Sequence, residues 1–248
     1  DPRQFLPPGG QAWTTLERLR QGHSSAFRRY EPGLTGIGTY PHFAIGQRAL
    51  LLRTPAGNVL WDCISLLDDA TVEIVNALGG LAAIAISHPH FYTSMVEWGR
   101  AFSASVHLHA ADRGWVMRPD AALAFWEGDT QEVLPGVTLI RAGGHFPGAT
   151  VLHWKDGAGG RGVLLSADIA QVARDRQSVS FLWSYPNMVP LPRSAVERIV
   201  RRLAPFPFEA IYGIFWESVI PADGGAILAR SAERYLAAIT GEGLAGEG

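Results

Sequence analysis

Only one cysteine, Cys63, and one lysine, Lys155, occur among the 248 residues. A single thiol excludes any disulfide within the chain. A compact chain built without disulfides suits a reducing compartment, so the expected location is cytoplasmic. The start at Asp1 rather than Met leaves room for a removed leader. No apolar run approaches the roughly 20 residues that a membrane-spanning helix needs, so no membrane partner is expected. Charge is also scarce. Charged residues make up 18% of the chain, and the formal net charge is -2. That balance lacks the basic footprint of a nucleic-acid binder, and no nucleic-acid partner is expected. The positive charge that exists is almost all arginine, which reads as a compositional bias. The hydrophobic share is 47%, enough for a substantial core in one large domain. The expected partner is a small-molecule substrate, and composition leaves the oligomeric state open.

Residues 1–35 are rich in proline, glycine, arginine and polar groups. They read as an N-terminal arm packed on the main domain, with a short helix at 14–21 capped by Thr14 or Thr15. A hairpin pattern follows at 43–53 and 59–62, turning through Pro55-Ala56-Gly57-Asn58. Residues 69–79 predict a helix closed by Gly79. Residues 81–87 form a run of small apolar side chains, the pattern of a strand buried on both faces. A helix is predicted at 94–102 and strands at 105–109, 133–141, 149–155 and 162–167. An amphipathic helix at 192–203, a short strand at 210–213 and a helix at 225–239 complete the main domain, which spans 36–240. Residues 241–248 predict a flexible tail. Strands, then strand–helix units, then the same again suit an α/β architecture of two packed sheets with helices outside.

The chemistry concentrates in three segments. Ser87-His88-Pro89-His90-Phe91-Tyr92-Thr93 follows the buried strand directly, where α/β architectures place their sites. Two histidines one residue apart can converge on one ion if the backbone between them turns, though such a pair can also simply pack at a strand end. Gly143-Gly144-His145-Phe146-Pro147-Gly148 lies between two predicted strands, and its glycines permit the backbone angles that aim one histidine from a tight loop. Ser166-Ala167-Asp168 ends another strand and sets a carboxylate just beyond it. Three imidazoles and one carboxylate form a donor set suited to zinc or iron.

These residues together resemble the metallo-β-lactamase superfamily, in its glyoxalase II-like branch. The familiar pattern is H-x-H-x-D-H, then a distant G-H-T-P-G-type histidine, an aspartate and a late histidine. His88 and His90 match the first two positions, His145 the distant histidine, and Asp168 the aspartate. Asp62, ending the strand at 59–61, is similar to the early aspartate that supports the family's metal ligands. The likeness spans roughly residues 36 to 220. It implies a four-layer αββα sandwich with two mixed sheets packed face to face and helices outside. It also implies metal-dependent hydrolysis.

The departures are equally specific. Tyr92 stands at the motif's aspartate position and Thr93 at its final histidine position. The region 210–217 holds no histidine. Those are ligands of the second metal in family members, so the resemblance implies one divalent ion, zinc before iron. It would be held by His88, His90 and His145, with Asp168 bound or beside it. Asp168 is then the candidate general base. Tyr92 offers a phenolic donor to an oxyanion, or else an aromatic ring filling vacated space. The function expected is mononuclear hydrolysis of an ester, thioester, lactone or amide. Two alternatives remain: a catalytically silent relative that binds a ligand or a protein, and a non-haem iron oxidoreductase on the same scaffold.

Other side chains carry plainer expectations. His107 and His109 alternate along one strand. His153 reads as a core residue, His23 as a surface one, and His42 as part of a loop near the pocket. Trp183, Tyr185, Phe215 and Trp216 fall in late loops, where they would wall an apolar cleft or pack as core. Arg48, in an otherwise apolar strand, would anchor a carboxylate or pair with Asp62.

Overall fold

The computed structural model describes residues 1–241. The predicted tail at 241–248 therefore falls almost wholly outside the described residues. The chain divides into two compact units, Arg3–Glu127 and the residues from Gly128 onward, with Asp1 grouped with the first and Pro2 with the second.

The first unit begins with helix α1 (Leu16–Gly22), whose N-cap Thr15 accepts from the Arg18 N–H. It is built around a seven-stranded sheet in simple sequence order. Strands β1 (Ser24–Glu31), β2 (Leu34–Tyr40), β3 (Arg48–Thr54) and β4 (Gly57–Trp61) are antiparallel neighbours. Helix α2 (Asp69–Ala77) then leads to β5 (Ala83–Ala85), helix α3 (Met95–Phe102) to β6 (Ser105–His109), and a loop to β7 (Leu123–Trp126). From β4 to β7 the neighbours are parallel. The sheet is mixed because hairpins build its first half and helical crossovers its second. Leu50, Leu51, Leu52, Val59, Leu60 and Ile84 are buried within it. Each such side chain contributes at about 25 cal/mol per Å² of apolar surface removed from water.

Of the segment set apart as an arm, residues 24–31 and 34–35 are sheet: β1 pairs along the length of β2. Its arginines and half-buried faces hide the alternation that marks an inner strand. Asp68 fixes the entry to α2, accepting from the Thr71 N–H at 2.7 Å and from the Ser25 N–H of β1 at 3.2 Å. Ser94 and Trp98 both donate to the Ile64 carbonyl, which docks α3 through two buried polar groups.

The second unit holds a six-stranded mixed sheet in the order β17-β16-β11-β10-β9-β8. Its first strands are β8 (Thr130–Leu134), β9 (Val137–Arg141) and β10 (Thr150–Trp154). A kinked turn, α4 (Gly157–Gly160), precedes β11 (Val163–Leu165). Two small hairpins follow: β12 (Gln171–Val172) with β13 (Val179–Ser180), and β14 (Leu182–Ser184) with β15 (Val189–Pro190). Helix α5 (Arg193–Leu203), strands β16 (Ala210–Tyr212) and β17 (Val219–Ile220), and helix α6 (Gly224–Thr240) end the unit. Only β11 and β16 run parallel. Helix α5 buries Ala195, Val196, Ile199 and Leu203, one apolar stripe at helical spacing.

The single strand expected at 133–141 is a hairpin instead. Leu134 faces Val137 across Pro135-Gly136, and Gly136 takes φ +77°. A proline–glycine pair is a turn signal that outweighs the apolar pattern on either side. Among the described residues no helix is long and apolar enough to cross a membrane.

Candidate metal centre

Strand β5 delivers the first two histidines. After Ala85 the chain bends at Ser87 and His88, and His88 itself has extended backbone, φ -168° and ψ 171°. Pro89 then starts a 3-10 turn over Pro89–Phe91, closed by the Phe91 N–H on the His88 carbonyl at 3.2 Å. Proline suits the first position of such a turn, where its missing N–H is not needed. The turn folds His90 back on His88, so that His88 Nε2 and His90 Nδ1 stand 3.3 Å apart.

The loop is anchored from β4. Asp62 follows that strand with φ +61° and is 1% exposed. Its N–H donates to the Ala85 carbonyl at 2.9 Å, and its Oδ1 accepts from the Ser87 N–H at 2.7 Å. Aspartate tolerates a left-handed backbone better than most residues, and a charged acceptor strengthens the bond. Ser87 Oγ lies 2.8 Å from His88 Nδ1, the nitrogen turned away from His90.

His145 is aimed by two glycines with left-handed backbone, Gly143 at φ +74° and Gly144 at φ +86°. A Cβ on Gly144 would stand 2.9 Å from Leu191 Cδ1 and 3.2 Å from Ile199 Cδ1, so those side chains would have to shift, and the left-handed backbone itself favours glycine. His145 Nδ1 is 2.9 Å from the Trp183 carbonyl. A carbonyl can only accept, so Nδ1 carries the proton and Nε2 keeps its lone pair. Asp168 follows β11 through Ala167, whose φ of +46° is strained for a residue with a side chain. The Tyr185 hydroxyl donates to the Asp168 carbonyl at 2.7 Å, and its ring meets the His145 ring edge-on at 5.8 Å.

His88, His90, His145 and Asp168 each offer one ligand atom, and these atoms all lie within 4.8 Å of one another. His88, His145 and Asp168 are buried, and His90 is half-buried. A tetrahedral ion with bonds of about 2.0–2.1 Å to nitrogen sets its ligand atoms about 3.3–3.4 Å apart. The 3.3 Å between His88 Nε2 and His90 Nδ1 meets that spacing. Burial, with the Arg3 charge as a smaller cause, pushes the His88 imidazole down to about 3, so it stays neutral and its lone pair is available. The donor set therefore fits a divalent metal ion.

Tyr92 is 9% exposed and comes immediately after the histidine turn. Burial, then the charges of Asp112 and Asp62, hold its hydroxyl well above the usual phenol range. It keeps its proton, which makes it a donor and not a base. Burial and then the Asp168 charge do the same for Tyr185.

The remaining candidates lie outside the cluster. His109 Nδ1 accepts from the Ala111 N–H, and its ring packs on Trp126 at 4.5 Å. His153 bonds the Pro207 carbonyl at 2.8 Å, a core role. His23 meets Leu19 and Phe43, and His42 is exposed. The Arg48 guanidinium lies over the Tyr30 ring at 4.2 Å. Trp183 and Tyr185 hold His145 and Asp168 in place, through a carbonyl and a hydroxyl. Nothing in the linear pattern marks them for that, since the bonds span 38 and 17 residues.

No family model matches the chain. The uncharacterized protein YmaE of Bacillus subtilis (strain 168) is 46% identical over 244 residues, covering 98% of this chain and 89% of that protein. The chain belongs to the YmaE family. Solved structures extend the likeness of this YmaE-type chain to its fold. The mono-zinc form of the metallo-β-lactamase FIM-1 from Pseudomonas aeruginosa superposes with a TM-score of 0.61 at 13% identity, over 85% of this chain and 95% of that one. A Cronobacter sakazakii metallo-β-lactamase with an HARLDQ motif gives 0.56 at 20% identity, over 92% and 98%. The fold is thus that of the metallo-β-lactamases, with the two large mixed sheets and helices that the sequence implied.

Proposed function

We propose that the chain is a mononuclear, zinc-dependent hydrolase of a small ester, thioester, lactone or amide, nearest in kind to glyoxalase II-like enzymes. The observation that carries this reading is the convergence of His88, His90, His145 and Asp168 within 4.8 Å. A bound divalent ion in such a setting supplies Lewis-acid polarisation of a carbonyl and a more acidic water.

The chain's own groups would do the rest. The imidazoles of His88, His90 and His145 would hold the ion through ring nitrogens. The Asp168 carboxylate completes the donor set, and its second oxygen can take a proton from the attacking water. Tyr92, kept protonated by burial, can donate a hydrogen bond to the negative charge that develops on the carbonyl oxygen as water attacks the carbon. Its place in the motif also removes a carboxylate ligand that a second ion would need, which favours one ion over two. The single cysteine, Cys63, is buried, consistent with work in a reducing compartment such as the cytoplasm.

The test is hydrolysis of a p-nitrophenyl ester, a thioester and a lactone by zinc-loaded protein. At least one should turn over, and His88→Ala/His90→Ala should abolish both the turnover and the bound zinc. Activity that survives in the double variant would refute the metal-dependent mechanism. Protein that retains one iron rather than zinc would move the reading to redox chemistry.

A further inference from the structure

Three arginines gather against the loop that carries His145, and they are not equivalent. Arg202 is a structural arginine. Its Nη1 donates to the Arg141 carbonyl at 2.5 Å and its Nη2 pairs with Asp129 Oδ1 at 2.6 Å. Arg141, the last residue of β9, uses only Nε, which donates to the Pro147 carbonyl at 3.0 Å. Arg198 is half-buried yet makes no hydrogen bond or ion pair with any described residue. Its Nε and Nη2 lie 3.7 Å from the point where a Cβ of Gly143 would sit, and the Pro147 carbonyl oxygen lies 3.9 Å from that same point. Both guanidinia therefore border one short stretch of backbone.

Ordinary structural explanations do not cover Arg198. It lies mid-helix in α5, whereas the last-turn positions that complement the helix dipole belong to Arg201 and Arg202. The nearby carboxylate, Asp129, is committed to Arg202. The set carries three positive charges against that one negative charge. The open donors are the whole Arg198 fork and both terminal nitrogens of Arg141. Such forks match the oxygens of a tetrahedral oxyanion, and two of them have more donors than a lone carboxylate can use. Gly143 takes φ +74°, and a Cβ there would meet the Arg198 guanidinium only at ordinary van der Waals distance.

We propose that Arg141 and Arg198, with Arg202 behind them, form a binding site for a phosphate group, either free phosphate or the phosphoryl end of a small metabolite. The site is separate from the metal donor set and goes beyond the hydrolase reading. An anion there would tie β9 to α5 across the glycines that aim His145.

The test is calorimetric titration of zinc-loaded protein at low ionic strength, with inorganic phosphate in one arm and phenyl phosphate in the other. Saturable binding is expected in at least one arm. Tighter binding of the monoester points to a phosphorylated metabolite, and equal binding to free phosphate. Arg198→Ala should weaken binding by about tenfold or more. Arg198→Lys should weaken it too, because the fork is lost. His88→Ala should leave it within about twofold. If Arg198→Ala does not fold, Arg141→Gln gives the same readout. No saturable binding to the unsubstituted protein would overturn the proposal. So would binding that persists in both Arg198 variants and vanishes in His88→Ala, since phosphate would then sit on the metal ligands.

Discussion

Asp62→Ala separates support of the metal loop from ordinary core packing. Two losses coincide in that variant. The Ser87 N–H loses an acceptor at 2.7 Å, and Ser87 is 1% exposed, so water does not replace it. An unsatisfied buried donor costs about 1–3 kcal/mol. Alanine must also hold φ +61°, which adds about 1 kcal/mol. A total near 3 kcal/mol lowers the melting temperature by about 6–12 °C in a chain of this length. The Ser87–His88 loop also loses its anchor, so zinc affinity should fall by about 10–100-fold. Asp62→Asn keeps an acceptor and tolerates the same backbone, so it should lose less than half as much of both. The assays are thermal unfolding of metal-free protein and competition for zinc against a chelator. The reasoning fails if Asp62→Ala melts with the unsubstituted protein and binds zinc equally well. It also fails if asparagine is as damaging as alanine.

Three further outcomes follow from the same geometry. Tyr185→Phe removes the donor to the Asp168 carbonyl, and about tenfold weaker zinc binding is expected by chelator competition, with a smaller effect on unfolding of the metal-free chain. Gly144→Ala forces a side chain against Leu191 and Ile199 at φ +86°, so denaturant unfolding should show a loss of about 1–3 kcal/mol. His153 is held below the ordinary imidazole range by burial, against the raising effect of its bond to Pro207. The unfolded chain therefore binds the extra proton as pH drops through about 6.5, and stability present above that pH is lost on acidification. His153→Gln should flatten that fall between pH 7 and pH 5 in denaturant titrations.

How far the sequence could be read depended on how local each signal was. Strand β5 was legible because a run of small apolar side chains has few other uses, and the His-x-His pair follows it directly. Gly143-Gly144 announced a tight loop around His145 because positive backbone angles select glycine. Helices α5 and α6 were legible from their apolar stripes. By contrast, the Leu134–Val137 hairpin was lost because apolar residues on both sides of Pro135-Gly136 looked continuous. Strand β1 was lost because an edge strand with half-buried faces need not alternate. Trp183 and Tyr185 suit a cleft wall or core packing equally well by residue type. Their support of His145 and Asp168 runs through a backbone carbonyl and a hydroxyl, and residue type does not encode such contacts. Asp62 was legible as a supporting residue only through family resemblance, and its bond to the Ser87 N–H supplies the physical reason.

The central claim is that three imidazoles and one carboxylate share a single ion. X-ray absorption at the zinc edge of fully loaded protein tests it most directly. The account predicts about one zinc per chain in a shell of nitrogen and oxygen near 2.0 Å, with the outer-shell scattering of three imidazoles and no zinc–zinc vector. A zinc–zinc vector, fewer than two imidazoles, or the same spectrum from His145→Ala protein would contradict it.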